Sequence, residues 1–449
     1  MKSLRTVLLL AIFGTAAHAT DYQDLQRSCF ERANLGYGKY WLIECFEEIF
    51  NADPVHLKVA TIAPGAGTLA IGPEWEMIPR INRTEMVFSA TALVSDDTSW
   101  LVRAQAVVAV PKVRGTEHLF LSHRNGLGGI GSTLERDAEL DSKSSITFRA
   151  DLLDAKQQWF YGLGPATSLA NNTEYSQKQF DLRASYNNPL TSWGDFGLTT
   201  EFLRPRIGAP NGGTAITQEF NSATAPGLFA TDDFLRVEPY LVFKVPPHRS
   251  PSTLARIGYA FYHDIGNDRF SFQRLTASTI TTLPLSVPVH VGSATAIRRG
   301  GGFTEWVCPA SRSGDHCSLG TLTLVGRTDM TFDAAGNVSP FFLDPTLGGM
   351  DIHGSDTLRG FSDYRFRAPN RVFLQAEYRH PIWSIFGLLA FYDVGKVGFQ
   401  PSNLALTQLR HDIGFGMYIS VANHQIAQLY VGFGTGEPIQ LRPRFSGLL

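Results

Sequence analysis

The sequence predicts an all-β protein: a transmembrane antiparallel β-barrel of about sixteen strands, preceded by a short N-terminal helical segment. Three observations lead there. From residue 63 onward, apolar and polar residues alternate with period two in segment after segment. No apolar run reaches the ~18 residues that a membrane-spanning helix requires. Charged residues make up only 18% of the chain, whereas glycine (42) and phenylalanine (31) are abundant.

The chain opens with "MKSLRTVLLLAIFGTAAHAT", a basic start (Lys2, Arg5), an apolar middle and an Ala17-His18-Ala19 exit. That pattern reads as a secretory signal peptide over residues 1–19, with Thr20 the first residue after cleavage. Residues 20–62 have helical periodicity broken at "NLGYG" and stopped at Asn51-Ala52-Asp53-Pro54, which reads as a short periplasmic helical hairpin. The four cysteines fall as two local pairs, Cys29 with Cys45 and Cys308 with Cys317. In an exported chain this spacing reads as two disulfides, the first stapling the hairpin. Two free pairs are the alternative, because spacing does not fix connectivity. Neither pair has a CxxC spacing or a histidine at ligand distance, so no metal site is expected.

The remainder, residues 63–449, is assigned to the barrel. In "RVFLQAEYRHPI", Val372, Leu374, Ala376 and Tyr378 alternate with Arg371, Gln375, Glu377 and Arg379. "FLRVEPYLVFKV" sets Leu235, Val237, Leu241, Phe243 and Val245 against Arg236, Glu238 and Lys244. "SITFRADL" sets Ile146, Phe148, Ala150 and Leu152 against Thr147, Arg149 and Asp151, and "RHDIGFGMYIS" aligns Ile413, Phe415, Met417 and Ile419. Each such strand has one greasy face and one polar face. A soluble sandwich alternates too, but these strands run longer than its usual ~5–6 residues. Their polar faces gather charge, as a wet lumen permits. No helix-rich segment is available to cover an open sheet edge. The least regular stretch, residues 278–319, is rich in Thr, Ser and Gly and is too long for a tight turn.

Composition excludes several functions. The charge is balanced (sequence pI near 6.6) and no basic run occurs, so no nucleic-acid partner is expected. "GLGGIG" places Gly126, Gly128 and Gly131 in a literal GxGxxG, but without a βαβ context it reads as a flexible turn, and no cofactor is expected.

One stretch carries more information. Residues 339–397 set Gly348-Gly349 before "LRGF" (Leu358, Arg359, Gly360, Phe361), then Glu377-Tyr378-Arg379 in the next strand, then Phe391-Tyr392-Asp393-Val394-Gly395. In that order these motifs resemble the C-terminal barrel of the bacterial surface antigen superfamily, the BamA/TamA-like outer-membrane barrels that also include the two-partner secretion transporters. "WFYGLGPATSLANNTEYSQKQFDLRASY" (159–186) is a weaker echo of an early segment of the same family. The resemblance implies that residues 334–370 form a long loop folded back to plug the lumen, its arginine meeting acidic wall groups. Parity agrees: Glu377 lies on the polar face of its strand, and Asp393 is in phase with Gly387 and Gly395, opposite Leu388, Ala390 and Tyr392.

The resemblance further implies a bacterial outer-membrane location reached through the periplasm, contact with outer-membrane lipid, and action on a client outer-membrane protein or lipid. Relatives insert proteins, translocate polypeptide or transfer lipid through a gated barrel with a weak seam between first and last strands. Two departures stand out. Residues 20–62 read as helices rather than as the POTRA domains of BamA and TamA, and the chain ends "RPRFSGLL", where Phe445 is the nearest aromatic. A passive or gated pore without a client is the alternative. An outer-membrane phospholipase is a second: it needs a serine and histidine at the lipid-facing rim, and His380 has that parity but no evident serine partner. There is no HExxH, GxSxG or phosphate loop, so covalent catalysis is not expected.

Overall fold

The structure is a computed structural model that describes residues 55–62, 69–77, 80–81, 84–111, 143–245, 252–288, 316–334, 336–382, 386–421 and 424–445. It is built almost wholly of strands: β1 (Val55–Ala60), β2 (Ala70–Met77), β3 (Arg80–Ile81), β4 (Thr84–Ser95), β5 (Trp100–Pro111), β6 (Lys143–Phe160), β7 (Thr173–Pro189), β8 (Gly194–Gly208), β9 (Phe234–Val245) and β10 (Ser252–Asp264). The second half continues with β11 (Phe272–Pro288), β12 (His316–Asp333), the two-residue strands β13 (Thr346–Leu347) and β14 (Phe366–Arg367), then β15 (Asn370–Pro381), β16 (Phe386–Gly398), β17 (Arg410–Val421), β18 (His424–Gly434) and β19 (Gln440–Phe445). Strands β6 and β12 are 18 residues long, enough to cross a hydrocarbon core even when strongly tilted.

Apart from β2 and β3, which both pair with β4, each strand of the main sheet pairs antiparallel with its neighbours in the chain, β12 passing directly to β15. Among the described residues this sheet has seventeen strands; β2 and β3 share the edge of β4 and fill one position, leaving sixteen. Strands β13 and β14 pair with each other, apart from the main sheet.

The sheet is curled, as its contacts with residues 334–369 require. Leu347, Leu358, Phe361 and Phe366 from that loop pack with Tyr240 and Val242 of β9, Leu254 of β10, Ile280 of β11 and Val325 of β12. The same loop reaches Arg442 on β19 and Tyr175 on β7. A flat sheet cannot bring its two ends and its middle to one loop, so the strands wrap around it. Among the described residues no register joins β19 to β1, so the expected closed cylinder has a seam there instead.

Side-chain direction follows the alternation. Phe415 and Ile413 are 60% exposed, as are, in smaller measure, Phe148, Leu182, Leu235, Leu374, Leu388 and Tyr392 on the other strands. Their in-between neighbours Asp393, Glu377, Arg371 and Asp151 are buried. The apolar face is therefore the outside, and charged groups line the lumen, the inverse of a soluble core.

One end of the lumen is capped by aromatic packing. Phe160, Tyr175, Phe234 and Phe272 from the strand ends meet Ile216 and Leu228 from the β8–β9 connection and Phe341 and Phe342 from the plug loop. Phe160 and Phe341 meet edge-to-face at 5.0 Å, as do Tyr175 and Phe341 at 5.2 Å.

Two boundaries differ from expectation. β1 lies inside the 20–62 stretch assigned to a helical hairpin, and it pairs with β2 from Val55 to Ala60, so the barrel starts before residue 63. Within 278–319, β11 continues to Pro288 and β12 begins at His316, because its Thr- and Val-rich composition favours strands as readily as a loop. The signal peptide, the rest of the hairpin, "GLGGIG", Cys29, Cys45 and Cys308 lie outside the described residues.

Candidate functional site

The plug loop is held in shape by its own turns before it meets the wall. Thr346–Leu347 pairs with Phe366–Arg367, closing residues 348–365 into a compact lobe. The chain reverses at Gly348 and Gly349, whose φ values of +109° and +55° favour glycine. A β-carbon on Gly349 would also fall 1.8 Å from Asp363 Oδ1. Gly349 donates its N–H to the Leu358 carbonyl at 2.8 Å, and its own carbonyl accepts from Thr357 N at 2.8 Å. Asp351 Oδ1 accepts from the backbone N–H groups of His353 and Ser355, each at 2.9 Å, which tightens the tip.

This lobe delivers Arg359 to the wall. Its Nε and Nη2 donate to the two oxygens of Asp393 on β16, both at 2.8 Å, a bidentate pair. Nη1 donates to Glu377 on β15, whose other oxygen accepts from Arg379 Nε at 2.5 Å. The Arg359 backbone N–H adds a bond to Asp393 Oδ2 at 3.2 Å, and the guanidinium carbon lies 3.8 Å from the Phe391 ring centroid. Arg359 is fully buried. Burial works against its charge, but the adjoining carboxylates of Asp393 and Glu377 outweigh it and raise the guanidinium's pKa well above its ordinary value.

The flanking residues explain why the motif is "LRGF". Leu358 and Phe361 are buried in the interior cluster, Phe361 edge-to-face with Phe366 at 5.4 Å. Gly360 lies against bare backbone: a β-carbon there would sit 2.6 Å from Asp412 Cβ and 2.7 Å from Gly434 N. The wall is itself bare at this point, since a β-carbon on Gly432 would meet the Arg359 carbonyl oxygen at 2.8 Å. Gly395 lies beside Phe373 and under Leu347, whose Cδ1 would be 3.1 Å from an added β-carbon. The structure thus brings together Gly348, Gly349, Leu358, Arg359, Gly360, Phe361, Glu377, Arg379, Asp393 and Gly395 in one contact region.

Several residues of this region carry no sequence signal that singled them out. Arg371 on β15 donates to Asp329 Oδ2 (2.5 Å), the Thr346 carbonyl (2.8 Å) and Asp351 Oδ2 (2.9 Å), tying β12 to the loop. Arg367 donates to the Phe341 carbonyl at 2.7 Å and Tyr175 OH at 3.2 Å. From the last strand, Arg442 reaches Asp363 Oδ1 (2.5 Å) and the Phe361 carbonyl (3.0 Å), and Arg444 Nη2 lies 2.9 Å from Asp356. Asp412 faces Asp393 across the β16–β17 ladder. The density of arginine and aspartate over 351–371 was visible in the sequence, but their partners lie far away along the chain.

At the base of the loop, Asp344 accepts from Ser339 Oγ at 2.7 Å, and Arg274 Nη2 lies 3.8 Å away. Burial pushes the Asp344 carboxyl up to about 7 despite the pull of Arg274. Elsewhere, His380 sits near the end of β15 with Nδ1 3.2 Å from Tyr378 OH. Cys317 lies on β12 with its backbone opposite Val287, and its proposed partner Cys308 is outside the described residues.

No family model matches the sequence, and no curated protein matches it. Among solved structures, the chain is similar to BamA from Haemophilus ducreyi lacking POTRA domains 1–3, at 10% identity over 88% of this chain and 70% of that one, with a TM-score of 0.49. It is also similar to CdiB from Escherichia coli (10% identity, 87% of this chain and 62% of that one, TM-score 0.47) and CdiB from Acinetobacter baumannii (8%, 87% and 58%, TM-score 0.44). The chain spans about three fifths of the length of the two CdiB chains.

Proposed function

We propose that this chain is a bacterial outer-membrane barrel of the surface antigen type, exported through the periplasm, that helps a client polypeptide or lipid enter or cross the membrane. The observation that carries the reading is Arg359, buried between Asp393 and Glu377, which fixes a long loop inside a curled sheet whose first and last strands share no ladder among the described residues. A plug that is tethered rather than covalently part of the wall can be displaced. A seam without a ladder offers backbone donors and acceptors to an extended client strand. The outward apolar face supplies the lipid contact, and the client is a strand-forming polypeptide or an acylated lipid.

The test uses the full chain reconstituted in liposomes of zwitterionic lipid. Urea-unfolded small barrel proteins should acquire protease protection faster in these vesicles than in empty ones, and Arg359→Ala should change that rate. Equal rates with and without the protein overturn the insertion reading. Ion conduction without any client would then favour the pore, and fatty-acid release lost in His380→Ala would favour the phospholipase.

A further inference from the structure

The lumen wall away from the plug carries an arrangement that the loop does not use. On the inward faces of β5, β6 and β7, Arg103, Arg149 and Arg183 stand over the acids that hold them. Arg103 Nε lies 2.9 Å from Asp151 Oδ1, Arg149 Nε lies 2.9 Å from Asp151 Oδ2, and Arg183 Nε lies 2.7 Å from Glu201 Oε1. In every pair the base is the more exposed partner: 15% and 20% for Arg103 and Arg149 against 9% for Asp151, and 34% for Arg183 against 2% for Glu201. Carboxylates are set back against the wall and guanidiniums face the lumen, so whatever enters meets positive charge first.

The register sharpens this. Arg149 lies directly opposite Arg183 in the β6–β7 ladder, and Asp151 lies directly opposite Asp181 one row along the same face. Like charges in direct cross-strand opposition are unfavourable, and a sequence free to choose would cross the pairs. The acidic row is relieved in part by Gln179 Nε2, which donates to Asp181 Oδ2 at 2.8 Å. The basic row is held from one edge only, by Asp151 under Arg149 and Glu201 under Arg183. Arg149 and Arg183 each use Nε and Nη2 on a carboxylate, and among the described residues their Nη1 groups have no protein acceptor. Two forked donors of the same sign, side by side and open to the lumen, match an oxyanion that spans them.

We propose that Arg149 and Arg183, with Arg103 beside them, form a lumenal binding site for a multiply charged oxyanion of the phosphate or sulfate type. Two sources present that chemistry: a free polyanion diffusing through the lumen, and the phosphorylated headgroup of a lipid. The site rests on the water-lined barrel and not on client insertion, so failed insertion assays leave it standing.

The experiment titrates inorganic tripolyphosphate into the full-length protein in nanodiscs of zwitterionic lipid, with heat released as the readout. The wild type should bind saturably, and binding should weaken as salt is raised. Arg149→Gln/Arg183→Gln should weaken it about tenfold or more. With the titration run at about pH 8.5, where buried carboxyls on this wall are ionised, Asp181→Asn should tighten it by removing a nearby negative charge. Arg204→Gln, at an exposed arginine paired with Asp233, should leave it unchanged. A second arm adds a diphosphorylated lipid to the disc: competition with tripolyphosphate assigns a headgroup, and its lack assigns a soluble anion. No saturable binding to the wild type overturns the proposal, as does equal affinity in the folded double variant. If that variant does not fold, unchanged affinity in Asp181→Asn overturns it instead.

Discussion

Gly360→Ala is the smallest change that should unseat the plug. The new β-carbon would sit 2.6 Å from Asp412 Cβ and 2.7 Å from both Gly434 N and the Phe433 carbonyl carbon. Two of these atoms are strand backbone and none ends a flexible side chain, so the loop must yield rather than the wall. Relief of the tightest contact to an ordinary 3.4 Å moves the loop by about 0.8 Å. The same shift would stretch the Arg359–Asp393 bonds from 2.8 Å to about 3.6 Å, where a hydrogen bond is largely lost. Overpacking of this kind costs about 1–3 kcal/mol, and we expect about 2 kcal/mol. If opening and closing are fast relative to cleavage, that raises the population of the opened loop, and its proteolysis rate, about thirtyfold. The assay is the cleavage rate within residues 348–365 of the folded protein in nanodiscs. Gly212→Ala, where an added β-carbon meets nothing within 4 Å, is the control. A Gly360→Ala rate within about twofold of wild type would refute the reasoning.

The two wall carboxylates should not be equivalent. Glu377 keeps Arg379 when its bond to Arg359 is lost, whereas Asp393 carries both bidentate bonds, so Asp393→Asn should expose the loop to protease more than Glu377→Gln; the reverse order would contradict the geometry. The loop base should respond to pH. Burial holds Asp344 at about 7 in the folded protein, against an unfolded value near ~3.9, so the folded state binds the extra proton. Its contribution is present below the unfolded value and is lost as pH rises through about 7. Loop protection should therefore fall between about pH 4 and 7, and Asp344→Asn should flatten that fall; an equal slope in both would show that another group titrates.

The sheet was legible because its chemistry repeats. Each period-two run, from "SITFRADL" to "RHDIGFGMYIS", writes its own inside and outside, and the exposed set Ile146, Phe148, Leu152, Ile413, Phe415 and Met417 is the set that alternation selects. Parity likewise turns Glu377 and Asp393 inward. Their contact with Arg359 followed from the family resemblance more than from spacing, since no local rule joins a loop to strands 18 and 34 residues on. What stayed hidden is what long range alone decides. Arg442 and Arg444 look like charges on a short final strand, and Arg371 like one more polar-face residue. Gly432 and Gly434 read as ordinary strand glycines until Gly360 is seen lying on them. β1 is hidden for a different reason: "VHLKVA" is short and follows directly on helical periodicity, so alternation alone does not separate it from the hairpin.

The plug depends on Arg359 gripping Asp393 inside the barrel, and a double-mutant cycle measures that grip. Unfolding free energies of Arg359→Ala, Asp393→Ala and the double variant, in one lipid environment, isolate the pair from the rest of the loop. We predict a coupling energy of about 2 kcal/mol or more, with the double variant more stable than the sum of the single losses implies. Additivity within about 0.5 kcal/mol would mean that the two groups do not meet in the membrane, and the tethered plug would have to be abandoned.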